Sequence, residues 1–208
     1  MSAGSIALLA LLALVGFWVL GAYNRLVRLR NAAVEAWAPI DAQLRRRQAL
    51  AFELAELLAG EDEMRDEVGR TTLQTVVAAT RQAQAAADHA QVRPSKAGAI
   101  QSLSLAEQVL EGALRPLRVV IGSRPALLAD AALAERLQAA LQGLHEADAQ
   151  LAFVRRMFND AVRAYNGALH EMPTRVVAGA FGFRPAAPLQ QASPERGPES
   201  QLMSTFGP

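Results

Sequence analysis

No charged side chain occurs from Met1 to Asn24, and arginines then stand at Arg25, Arg28 and Arg30. An apolar span that opens at Gly4 and closes at Ala22 is about 28 Å long as a helix. That matches a hydrocarbon core of about 30 Å. Trp18 and Tyr23 stand at its polar end, where amphipathic rings favour the lipid–water interface. A cleaved export signal is the rival reading. Such signals carry basic residues before a shorter apolar stretch; here no Lys or Arg precedes the run, and the helical pattern continues past it. The run therefore reads as a retained single-pass transmembrane helix. Because the arginines follow it, the positive-inside rule puts the body in the cytoplasm and the N-terminus outside.

Beyond the run, Leu26, Leu29, Ala33, Trp37, Ile40, Leu44, Ala51, Leu54 and Leu58 recur three or four residues apart, with one position skipped after Leu44. That is one apolar face of a helix. Pro39 removes a hydrogen bond inside it and predicts a bend near residues 35–39; Gly60 predicts its end. A second helix is expected from about Asp62 to His89, with Met64, Val68, Thr72, Val76, Ala79, Ala83 and Ala86 inward. A third runs from about Lys96 to Ile121, with Pro116 a candidate kink. The fourth carries Leu133, Leu137, Leu141, Leu144, Leu151, Val154, Phe158, Val162, Tyr165 and Leu169 at a near-heptad period. Four helices joined by short turns predict an all-α fold: the transmembrane helix continues into an elongated antiparallel four-helix bundle. An extended coiled coil pairing between chains is the alternative. The expected segments are an anchor at 1–22, a bundle at 23–172, an apolar segment at 173–184 and a disordered tail at 185–208, rich in Pro, Ser, Gln and Gly.

Helix parity has a spatial consequence. The end of the fourth helix should lie beside the start of the first, with Tyr165 and Asn166 near Tyr23 and Asn24. The apolar segment after it, with Val176, Val177, Phe181 and Phe183 between Arg175 and Arg184, would then reach the membrane surface and insert at the interface. The competing expectation is that these four residues fold back over the bundle end. Arg25, Arg28, Asn31, Asn159, Asp160 and Asn166 should gather at the same end. Asp160 is placed to pair with an arginine of the first helix, and a polar cluster there would fix register or bind a partner.

Several chemistries find no support. The formal net charge of +1 does not suit a nucleic-acid binder. There is no cysteine, which removes thiol catalysis, disulfides and cysteine zinc sites. His145-Glu146 would need a histidine at Ala149 to make a zinc-protease motif. Neither a Glu-x-x-His pair nor a glycine-rich phosphate loop nor a Gly-x-Ser-x-Gly elbow occurs. The acids Glu61, Asp62, Glu63, Asp66 and Glu67 suit the first turn of a helix. Arg45, Arg46 and Arg47 suit a solvated basic face paired with bundle acids, or a patch for an acidic partner. Neither cofactor nor metal is expected.

Three stretches resemble the LemA family. "YNRLVRLRNAAVEAWAPIDAQLRRR" is similar to its Tyr-Asn, Leu-Val, Arg/Asn, Trp, Ile-Asp and Leu-x-Arg-Arg pattern. "RRMFNDAVRAYN" resembles its aromatic-Asn-Asp-Ala-Val-x-x-Tyr-Asn run, and "MPTRVVAGAFGF" its proline followed by an apolar stretch ending Phe-Gly-Phe. The chain departs from the family at Pro39 and at residues 48–55, where relatives carry a Pro-Asn segment. The resemblance implies a single-pass protein of the bacterial inner membrane with a helical bundle and no established enzymatic activity. It also implies relatives tied to membrane shaping in magnetic bacteria and to envelope stress. The leading expectation is a non-enzymatic scaffold that meets the lipid bilayer and other envelope proteins or itself. The alternatives are a self-assembling membrane-shaping protein and a hydrolase built from Glu and His.

Overall fold

The computed structural model describes residues 3–92 and 97–189. Among them the regular structure is helical, with no strand. Six α-helices follow in order: α1 Ala3–Glu35, α2 Ala38–Ala59, α3 Glu67–Val92, α4 Ala97–Ser123, α5 Ala131–His170 and α6 Thr174–Phe181. Short 3-10 turns at Asp62–Met64 and Pro125–Leu128 precede α3 and α5.

The first expected helix is two helices in near-continuity. Pro39 has no N–H to give to the Glu35 carbonyl. Helix α1 stops there, and Trp37 donates instead to Val34 at 3.1 Å, a tighter three-residue step. Trp37 fills the inside of the bend and meets the Phe158 ring of α5 edge-on at 5.7 Å. An edge-to-face pair of this kind adds roughly 0.5–1.5 kcal/mol to the area it buries.

Along α1 the environment changes within one helix. The apolar side chains up to Trp18 are exposed, with Phe17 at 75%, and Val19 is the first to pack partly against the core. From Ala22 onward one face is buried, through Leu26 and Ala33. The helical stretch Ala3–Ala59 contains a segment long and apolar enough to cross a membrane.

The second expected helix starts later; Met64, Val76, Ala79 and Ala83 are buried as expected, and the departure is confined mainly to its first turns. Residues 62–64 form a 3-10 turn, and α3 begins at Glu67, where Asp66 accepts the Gly69 N–H at 2.8 Å. The turn breaks the periodicity between Met64 and the helix after it. Val68, expected inward, is therefore 59% exposed, and Gly69, Leu73, Val76, Thr80, Ala83 and Ala87 take the inner face. Helix α5 opens on Asp130, whose carboxylate accepts the N–H groups of Ala132 and Leu133 as an N-cap should.

Helix α2 packs along both α5 and α3, and α3 along α4. The base of α1 packs on α5 and α6. Antiparallel α2, α3, α4 and α5 thus form the bundle, with the first and last helices side by side as parity requires. Its apolar core falls into two sections. One holds Leu26, Ile40, Leu44, Leu103, Phe158 and Val162; the other holds Leu54, Leu58, Val76, Leu110, Leu114 and Leu144. Arg47 and Gln48 of α2, Glu107 of α4 and Asp148 of α5 lie between the sections in sequence, and they join as a polar layer.

Candidate functional site at the root of the bundle

The residues around Tyr23 come from three elements far apart in sequence. The Tyr23 ring lies 5.1 Å from that of Phe181 and 5.7 Å from that of Phe183. Arg25 donates to Glu171 at 2.8 Å, joining α1 to the end of α5. Helix α6 divides the apolar segment between the bundle and the exposed surface. Val177 is buried against the bundle, and Phe183 is half-buried there. Val176 and Phe181 point outward, 56% and 58% exposed.

Beyond α6 the chain reverses at Gly182, whose φ of 69° is the left-handed conformation glycine adopts freely. Residues 183–189 then run back along α5 as a strap. Tyr165 donates its hydroxyl hydrogen to the Arg184 carbonyl at 2.9 Å. Asn166 donates to the Ala186 carbonyl at 2.8 Å and accepts the Ala186 N–H at 2.9 Å. Asn159 does the same with Leu189, at 3.1 and 2.9 Å. The spacing explains the match. Seven residues of helix rise about 10.5 Å, and three residues of extended chain span about 10 Å. Two asparagines two turns apart on α5 therefore meet backbone positions three residues apart on the strap.

This corrects two expectations. Residues 185–189, expected to open a disordered tail, lie on the bundle with Ala186 and Leu189 buried; residues 190–208 lie outside the described residues. Asp160 pairs with Arg163 on its own helix instead of an arginine of α1, because it stands on the exposed face of α5. Of the six polar residues expected to gather here, Arg25 bridges to Glu171, and Asn159 and Asn166 hold the strap. Arg28 and Asn31 are exposed on α1.

Strap, α1 and α5 enclose a hollow of about 600 Å³. Tyr23, Phe158, Val162 and Phe181 give it apolar walls, and Arg30 and Arg184 line it as well. Burial holds the Tyr165 phenol above its ordinary pKa, with the nearby Arg30 charge acting in the opposite direction.

The arginine triplet divides between solvent and core. Arg45 meets the half-buried Asp41 and the exposed Asp88, and Arg46 meets Glu146 on the surface. Arg47 turns inward, its side chain 5% exposed, and donates to Glu107 at 2.7 Å, Glu111 at 2.5 Å and Asp148 at 2.6 Å. Burial opposes its charge, but the three carboxylates outweigh that and hold its pKa above the ordinary arginine value. Gln48 donates to the other Glu107 oxygen at 3.0 Å. Arg118 bridges Glu111 and Asp148 from the outside, at 3.4 and 3.5 Å. The three histidines are exposed and stand apart from this layer.

A family model matches residues 36–201 of the chain, from the elbow at Trp37 through the asparagine clasp and α6. The chain belongs to the LemA family. No curated protein matches it. The two asparagines of the LemA-like stretch "FNDAVRAYN" are the two that hold the strap, and its tyrosine is Tyr165.

Proposed function

We propose that this LemA-family protein is a single-pass membrane protein of the bacterial inner membrane whose bundle serves as a non-enzymatic scaffold for other envelope proteins. The observation that supports this best is the change of environment along α1. Its apolar side chains are exposed on all sides up to Trp18, and from Val19 onward the same helix becomes part of a packed core. A helix apolar all round and uncovered by protein suits lipid. The bundle lies on the cytoplasmic side, since Arg25, Arg28 and Arg30 follow the span. The family is not known as one of enzymes.

The test is alkaline carbonate extraction of membranes with a protease-protection assay, followed by in-membrane crosslinking and identification of captured proteins. Release by carbonate refutes the span, and digestion of the bundle from the outer face refutes the orientation. Self-assembly is the second reading, favoured by Phe153 and Met157, one turn apart on α5 and 63% and 54% exposed. A monomer by sedimentation at high concentration would rule it out.

A further inference from the structure

We infer that the hollow under the strap binds one anionic phospholipid, its acyl end against the aromatic wall and its phosphate between Arg30 and Arg184. The inference rests on α1 being a membrane span. Three observations carry it. The first is position. The apolar run ends beside Tyr23, and Arg30 stands seven residues further, about 10.5 Å along the helix. The headgroup layer on each side of a bilayer is of order 5–8 Å thick, and a long arginine side chain reaches back toward it.

The second is charge. Arg30 and Arg184 carry no ion pair among the described residues. Of the acids at the same end, Glu171 is held by Arg25 and Asp160 by Arg163, and Glu35 at the end of α1 is exposed and lies outside the lining of the hollow. No carboxylate is among the residues that line the hollow. Arginine pairs with phosphate through two parallel hydrogen bonds, and an anionic headgroup adds no cation to oppose the pair, as a choline headgroup would.

The third is shape. A hollow of about 600 Å³ lies within the range of small-molecule sites, with the usual apolar walls and few polar groups. Its strap is held at Arg184, Ala186 and Leu189, so Arg184 is presented at a fixed place.

The full chain in neutral detergent is mixed with equimolar phosphatidylglycerol and phosphatidylcholine of the same acyl length, and retained lipid is read by native mass spectrometry. One phosphatidylglycerol per chain should be retained in preference. The Arg30→Gln/Arg184→Gln variant should reduce that retention about tenfold. Val34→Trp, at an exposed position lining the hollow, should reduce it similarly with unchanged circular dichroism. Arg81→Gln/Arg136→Gln, midway along α3 and near the start of α5 and away from the hollow, should leave it intact. Equal retention of the two lipids overturns the inference, as does retention indifferent to Arg30, Arg184 and Val34. If free glycerophosphate displaces the lipid as well as phosphatidylglycerol does, the ligand is a soluble phosphate ester and the lipid assignment is wrong. Carbonate extraction separates this result from the membrane reading. Protein released by carbonate that still prefers phosphatidylglycerol in micelles refutes the span alone, and a retained protein without the preference refutes the lipid site alone.

Discussion

Replacing Arg47 by methionine keeps an unbranched stem and removes the guanidinium with its charge. Arg47 and Glu107 are 5% and 8% exposed, so the variant leaves a buried carboxylate whose remaining hydrogen-bond donor is Gln48. Breaking a buried pair by removing one partner costs about 3–5 kcal/mol. Glu111 and Asp148 add little to that figure, because they are more exposed and keep Arg118 as a partner. Arg155 sets the position within the range. Burial and, to a lesser degree, the neighbouring Arg47 charge disfavour its protonated form, and Glu107 is the largest attraction it feels. With Arg47 gone it can move toward Glu107, so the lower end, about 3 kcal/mol, is expected. For a chain of this size each kcal/mol moves Tm by roughly 2–4 °C, which predicts a fall of roughly 6–12 °C for the full chain in detergent. The double variant Arg47→Met/Glu107→Met removes both charges and should recover most of that loss, since an apolar substitute for a buried pair is often neutral or better. A single variant that melts within about 2 °C of the parent would refute the layer as a buried pair. So would a double variant no more stable than the sum of its singles.

Three further outcomes follow from the same structure. Asn166→Ala removes two hydrogen bonds to the strap and should cost about 1–3 kcal/mol, read as faster amide hydrogen exchange at Ala186 with little change in α4. Phe158→Ala, at a position 2% exposed, should cost about 3–5 kcal/mol and free Trp37, read as a red-shifted indole emission against a Trp18→Phe background. The Tyr165 pKa is raised on folding, so its contribution is full below the unfolded tyrosine value of about 10 and is lost as pH rises through the folded value. In a Tyr23→Phe background the remaining tyrosine should titrate above about 10, and the strap should loosen in step; titration at or below the free-tyrosine value would contradict the buried donor.

Periodicity made most of the helices legible, since the stripes of α2, α4 and α5 keep a heptad-like spacing along their length, each with one apolar position skipped. It failed where phase was reset. The stripe Met64, Val68, Thr72 is in register in the sequence, but the turn at Asp62–Met64 and the Asp66 cap interrupt the helix that would have carried it. The polar layer left a trace: the skipped position after Leu44 is where Arg47 and Gln48 stand, at the spacing an apolar pair would occupy. A charged residue at an inward position of an amphipathic helix is the signal of a buried pair, and its flanking arginines masked it as part of a basic face. The asparagines of α5 were legible as important but not in their role. Their partners are backbone groups of a segment whose composition reads as tail, and backbone partners leave no mark on a sequence.

Register links the polar layer to the root of the bundle. Stripes of leucine and alanine tolerate a shift of one heptad, about 10.5 Å of helix rise, because each apolar position is replaced by another. Such a shift between α2 and α5 would carry Arg47 away from Asp148 and leave charge against the apolar core, a cost on the order of several kcal/mol. The same alignment sets Trp37 against Phe158, and Phe158 is adjacent to Asn159. Because α1 leads directly into the Trp37 elbow, it also brings Tyr23 to the level of Phe181 and Phe183. A buried pair that adds little net stability therefore has a positional consequence at the far end: it keeps the asparagine clasp, the strap and the arginines of the hollow at the level where the apolar run of α1 ends.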